Sequence, residues 1–416
     1  MAPTIINTAK PRPTPDGLRG DGPGLSAARL FGLLLAFAFV VAAIGSAADR
    51  MVATHPDWDR RVPSLFADNA WRYRAYAAMT SHDAAKAVAA ARAAVRTGPI
   101  DPASSDLLGT ALLMDNRPGE ATQAFRLAGK LGWRRPDTQI YWMMQSIGSG
   151  DWRSAMQRLD AVLRQAPLRA GDASLMRLFE TDPVGRAALA AKLSASPPWQ
   201  SDYAANIAGL DPDTLAARAA ILGGLAQRAP RLGCTRVGAL VSGLLGAGRA
   251  READGLWRAQ CPDAKRDPAA GLLGDGNFAQ SDLGRRDSLF SWWAPGDSSI
   301  SAVVDTQSAT GKPRLVASNS APFTRPVVTR MVYLPPGRYR LIWRTLDAQG
   351  RASERILAAL GCMAGTGEPL PATLDPRTGM TRAELAALSC PAPWLEFRLA
   401  PGAGEVRFGN IALQRF

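Results

Sequence analysis

Three kinds of hydrophobic patterning follow one another along the chain. From Leu30 to Ala48 the sequence LFGLLLAFAFVVAAIGSAA runs nineteen residues without a charge. At about 1.5 Å per residue that stretch spans a hydrocarbon core of roughly 30 Å. From about 64 to 262, apolar residues recur at helical spacing in segments rich in Ala, Leu and Arg, broken by Gly, Pro or Asp. From about Leu272 the period shortens to two, in short runs between Gly, Pro, Asp and Ser. This succession predicts a multidomain chain: one transmembrane helix, an all-α body and a C-terminal all-β sandwich. At 416 residues, two or three folded units are expected.

The first segment predicts a membrane anchor over 29–48. Lys10, Arg12, Arg19 and Arg29 precede it, within Pro- and Gly-rich sequence that predicts a disordered cytoplasmic tail over 1–28. Arg50, Arg60 and Arg61 follow, so the positive-inside bias is weak. A cleaved signal peptide ending at Ser46-Ala47-Ala48 is the alternative, and either way the body is exported. Four cysteines, Cys234, Cys261, Cys362 and Cys390, decide the orientation. None forms CxxC, and His55 and His82 are the only histidines, which argues against a zinc site. Paired within domains, Cys234 with Cys261 and Cys362 with Cys390, they suit an oxidising compartment; buried free thiols are the alternative. The expected location is a single pass through the inner membrane, with the bulk in the periplasm.

The helical body carries an internal repeat. Ala87, Ala91, Ala94 and Pro99 lie at relative positions 0, 4, 7 and 12. Ala121, Phe125 and Ala128 repeat the first three positions, and Ala155, Leu159, Val162 and Pro167 repeat all four. The leading alanines are 34 residues apart, twice. Positions 0, 4 and 7 share a helix face, and a small residue there lets a paired helix approach closely. Leu108, Gly109 and Leu112 fall on the partner helix, and Asp101-Pro102 predicts its start. The pattern resembles the tetratricopeptide repeat family over about 64–168, departing at Trp133 and Ser146. The resemblance implies stacked helical hairpins that bind protein partners. Over 169–262 the period fades into degenerate helical repeats, ending in a hairpin from Cys234 to Cys261.

In the β region (270–416), RPVVTRMVYL and RYRLIWRTL read as two strands with a tight connection at Pro335-Pro336-Gly337. Tyr339, Leu341, Trp343 and Thr345 alternate with Arg338, Arg340 and Arg344. Toward the end, Leu395, Phe397 and Leu399 oppose Glu396 and Arg398. The order GDGNFAQ, FSWWAP, YLPPGRYRL, VRFGNIAL resembles carbohydrate-binding modules of the galactose-binding-like jelly-roll type, with 363–389 as an extra, irregular insertion. The resemblance implies a glycan platform. Trp292 and Trp293 are its aromatic candidates, with Arg338, Arg340 and Arg344 as contacts to acidic sugar; a plain core tryptophan and a solvated Arg face are the alternatives. The whole arrangement also resembles bacterial proteins associated with exopolysaccharide and envelope assembly.

The formal net charge is +13, with 6 Lys against 43 Arg and no block of five like charges. Codon bias accounts for such an imbalance, and anionic polysaccharide or lipid is the acidic-partner alternative; nucleic acid is not expected. GxSxG, Walker A, HExxH and dinucleotide fingerprints are absent from the sequence. No catalytic residue, metal ligand or cofactor is therefore assigned. The expected function is a non-enzymatic, membrane-anchored periplasmic scaffold for protein partners of an envelope or exopolysaccharide system; the alternative is a carbohydrate-binding protein.

Overall fold

The computed structural model describes residues 27–261, 268–279, 282–286, 288–307 and 312–416. Residues 1–26 of the expected tail lie outside them. The chain forms two compact units, divided between Arg135 and Pro136.

In the first unit, α1 (Ala27–Met51) carries the apolar run and is exposed along almost its whole length. A 3-10 turn (Pro56–Arg60) leads to α2 (Asp68–Thr80) and α3 (Ala84–Thr97), then to α4 (Pro102–Met114) and α5 (Pro118–Leu131). Each hairpin has a local cause. The Asp83 carboxylate accepts from Lys86 N at the start of α3, and Asp101 accepts from Ala103 N ahead of Pro102. Ala87, Ala91 and Ala94 are fully buried, as are Ala121, Phe125 and Ala128. Gly109 is where the second hairpin closes: a Cβ there would lie 2.8 Å from the Phe125 ring. Leu112 is buried beside it, and Leu108 is half-buried.

The second unit opens with α6 (Pro136–Gly148) and α7 (Trp152–Gln165), which bury Ala155, Leu159 and Val162; α7 stops short of Pro167. Then follow α8 (Ala173–Thr181), α9 (Pro183–Ser194), α10 (Gln200–Ala205), α11 (Pro212–Leu225), α12 (Cys234–Gly246) and α13 (Ala250–Gln260). The 34-residue period fades because α8 to α10 are short and pack around anchors of their own. Trp199, fully buried, donates its indole N–H to Asp160 on α7 at 2.9 Å. Arg218 and Glu180, both fully buried, pair at 2.8 Å, and Arg218 also donates to the carbonyls of Tyr203 and Asn206. Among the described residues Glu180 Oε2 and Arg218 Nη2 find no further hydrogen-bond partner, and the guanidinium instead stacks 4.3 Å over the Tyr203 ring.

Among the described residues ten strands make the sandwich: β1 (Ile300–Asp305), β2 (Arg314–Asn319), β3 (Arg325–Met331), β4 (Arg338–Asp347), β5 (Ile356–Gly361), β6 (Glu368–Pro369), β7 (Ala372–Asp375), β8 (Met380–Ala386), β9 (Trp394–Leu399) and β10 (Val406–Arg415). One antiparallel sheet has the order β1-β2-β10-β4-β8-β7, the other β3-β9-β5-β6. Tyr339, Leu341 and Trp343 face Leu395, Phe397 and Leu399 across a shared core, where the Phe397 and Phe408 rings sit 4.7 Å apart.

The tight connection at Pro335-Pro336-Gly337 joins the two expected strands, which do not pair with each other: β3 pairs with β9 while β4 pairs with β10 and β8, so the turn carries the chain from one sheet to the other. One expectation needs correction: 363–389 is not an irregular insertion. It supplies β6, β7 and β8, and β8 pairs with β4 from Arg338↔Ala386 to Arg344↔Met380.

Both disulfides are formed. Cys234–Cys261 closes the α12–α13 hairpin at a Cα separation of 4.7 Å, and Cys362–Cys390 links the end of β5 to the segment before β9 at 5.8 Å. Within this unit the helices and the sandwich share buried residues. Phe290 joins the helical core beside Trp257, and buried Arg330 of β3 stacks over both Trp257 and Trp292 while donating to the Leu273 carbonyl at 3.0 Å.

Candidate functional site

A broad concavity belongs to the first hairpin. It encloses about 1010 Å³ between the Pro56–Arg60 turn, α2 and α3. Its floor is made of alanines, Ala77, Ala78, Ala89, Ala90 and Ala93, because both helices turn their small faces toward the open side. On one wall the Arg74 guanidinium stacks 4.4 Å over Trp71 and its Nε pairs with Asp59 at 3.1 Å, which fixes the turn against α2. The floor is thus apolar and its rims are charged.

The same hairpin is fastened to α1. Ala67 at the start of α2 provides no side-chain cap. Asp49, near the end of α1, takes that role from a distance: its buried carboxylate accepts from Asn69 N and Ala70 N, each at 2.9 Å. Gly45 on α1 lies against Phe66, and Val52, Val62, Ala67 and Ala70 form a small apolar cluster at the junction. Asp49 was not singled out by the sequence patterning, since an acid shortly after an apolar run reads as its hydrophilic border.

In the sandwich, the two adjacent tryptophans part ways. Trp292 is in the core, 1% exposed, with its indole N–H donated to the Asp275 carbonyl. It therefore offers no face to a sugar. Trp293 lies on no strand; it makes a single bridge to Thr329 and is half-buried beneath Arg286, 4.8 Å over the ring. The expected row of arginines is likewise divided. Arg338 is exposed; Arg340 pairs with Glu384 at 3.2 Å on the neighbouring strand; Arg344 donates its Nε to the Thr378 carbonyl at 2.9 Å.

A basic cluster does exist, but it runs across strands instead of along one. Arg314 of β2 and Arg344 of β4 flank β10, where Gly409 pairs with Arg344 and the ladder next to it joins Phe408 to Leu315. With Arg407 and Lys312 they line a depression of about 210 Å³. Sequence alternation marks Arg314 and Arg407 as outward-facing, but nothing in it says that β2, β10 and β4 are neighbours.

The fold thus defines a helical-repeat-like region joined to a β-sandwich. No protein-family profile and no curated protein matches the chain. Among solved structures it is similar to the enzymatically active domain of bacteriophage CBA120 tailspike protein 4, at 10% identity and a TM-score of 0.24, over 36% of this chain and 23% of that one. It is also similar to TmCBM61, solved in complex with β-1,4-galactotriose, at 15% identity and a TM-score of 0.23, over 34% of this chain and 95% of that one.

Proposed function

We propose that this chain is a membrane-held adaptor. In this reading α1 crosses the inner membrane, the rest lies in the periplasm, and the hairpins act as tetratricopeptide-like units that grip a helix of a partner protein in an envelope or exopolysaccharide assembly system. It works by offering surfaces and not by catalysis. The observation that carries the reading is the joint between α1 and the first hairpin: an exposed apolar helix passes straight into a folded junction through Asp49 and Gly45, directly beside the alanine-floored groove. A leader destined for removal has no need of such a seat. Two disulfides are the chemistry expected on the oxidising side of the membrane.

The test is a photo-crosslinking residue in place of Ala89, which is exposed on the groove floor. In native cells it should trap one discrete protein partner, and Ala93→Trp, which fills the groove, should abolish the adduct. An adduct of unchanged yield in the Ala93→Trp background, or none at all, rejects the groove. Retention of α1 is read separately from the mass of the mature chain, which for a cleaved leader would start near Asp49.

A further inference from the structure

We propose that the solvent face of the six-stranded sheet holds a separate binding site for one carboxylate-bearing sugar unit of an anionic polysaccharide. The site is the depression on β2, β10 and β4, and it does not depend on the groove of the first hairpin.

Its shape is built into the ladder. Gly409 occupies the position between Arg314 and Arg344 and has no side chain to fill it. Just beyond Gly409 the register of β10 against β4 shifts, and Asn410 adopts a left-handed φ of 53°, so the strand bulges there. Asn277, from the loop before β1, docks on the bulge: its Oδ1 accepts from Asn410 N at 2.9 Å. The floor is therefore set by the backbone of β10 and the Asn277 side chain.

Its chemistry is one-sided. Among the described residues the lining includes four cations, Lys312, Arg314, Arg344 and Arg407, and no carboxylate. Arg314 is held through its Nε by Asp305 at 3.2 Å, and Arg344 through its Nε by Thr378 O. Each tether uses one nitrogen and orients the remaining fork, the geometry that receives a carboxylate with two hydrogen bonds. Arg407 and Lys312 have no hydrogen-bond or ion-pair partner among the described residues. Gathering four like charges around one hollow is unfavourable until an anion enters it. The amide nitrogen of Asn277, also unpartnered among the described residues, and the apolar edges of Leu346 and Pro313 add what a bare anion would not use: a donor for a hydroxyl and a surface for a ring. A volume of about 210 Å³ lies below that of drug-sized sites, roughly 300–1,000 Å³, and admits one sugar unit, the rest of a polymer running over the sheet.

The experiment is calorimetric titration of the full chain, in a polyoxyethylene detergent, with trigalacturonate. Saturable binding is expected, with none for neutral galactotriose. Arg407→Gln and Arg344→Gln should each weaken it tenfold or more, and Gly409→Val, which keeps every charge and fills the hollow, should do the same. Arg338→Gln, on the same face but outside the hollow, should leave it unchanged. The proposal fails if trigalacturonate does not bind, or if Arg338→Gln costs as much as Arg407→Gln, which marks diffuse attraction. It fails equally if inorganic phosphate or phosphatidylglycerol vesicles bind more tightly than the uronate. Far-UV circular dichroism of each variant separates loss of binding from loss of fold.

Discussion

Asp160 shows what a single carboxylate does inside the helical layer. Burial pushes its pKa up, but hydrogen bonds from Lys192 Nζ at 2.7 Å, Trp199 Nε1 and Arg164 Nε outweigh that and hold the carboxyl below the usual range. Because the folded-state pKa is depressed, the stabilisation is complete above the unfolded value of about 3.9 and is lost as the pH falls through the folded value. Chemical denaturation of the wild type should therefore show constant Asp160-linked stability at neutral pH and an acid limb below about pH 4. Asp160→Asn should destabilise at pH 7 by about 1–3 kcal/mol and flatten that limb. A variant as acid-sensitive as the wild type would show that the carboxylate is not the group titrating. At this scale the sequence was least informative. Arg218, Glu180, Arg330 and Glu396 are charged residues that read as surface, yet all are buried, each matched by a partner far away in sequence.

At the level of helices and strands, periodicity carried more. The leading alanines at 87, 121 and 155 lie on buried helix faces because a 0, 4, 7 spacing leaves no other place for three small residues to go. Gly109 tests the closeness this permits. Its missing Cβ would meet the ring of Phe125, which is itself buried and has no free direction in which to swing. Gly109→Val should destabilise the second hairpin by about 1–3 kcal/mol, whereas Gly119→Ala, in open space on α5, should stay within about 0.5 kcal/mol. Urea denaturation of both variants checks the contrast, and equal costs would refute the close packing. In the sheets, alternation identified which side of β4 and β9 faces the core. It did not identify their neighbours, because strand order is fixed by contacts between residues tens of positions apart. For that reason the sequence shows two strands around Pro335-Pro336-Gly337 but not that they belong to different sheets, and alternation points along β4 while the basic cluster crosses three strands.

For the molecule as a whole, the division at Arg135/Pro136 cuts through the stretch that the 34-residue period groups together. The α6–α7 hairpin repeats the spacing of its predecessors, but Met143, Ala155 and Leu159 enter the same apolar core as Trp199, Val237 and Trp257. That core is reinforced by the Cys234–Cys261 bridge, and the sandwich by Cys362–Cys390. With 27 and 28 residues separating the paired cysteines, each bridge is worth about 3 kcal/mol in the chain-entropy picture. Dithiothreitol should lower the Tm of residues 136–416 within the full chain by several degrees, and the double replacement Cys234→Ser/Cys261→Ser should reproduce part of that drop. Scanning calorimetry with an unchanged Tm would mean that the bridges constrain nothing.

The way α1 ends decides where biochemistry should look for a companion. The helix runs unbroken to Met51, and the wall of the groove begins at Pro56, five residues on, a span of no more than about 17 Å even fully extended. With α1 in a bilayer, as proposed, the groove lies close to the membrane surface, within reach of a partner that is itself held in the bilayer. Such a pair should stay together in the pellet after alkaline carbonate washing, and baits lacking 27–51, screened against aqueous extracts, would sample the wrong fraction.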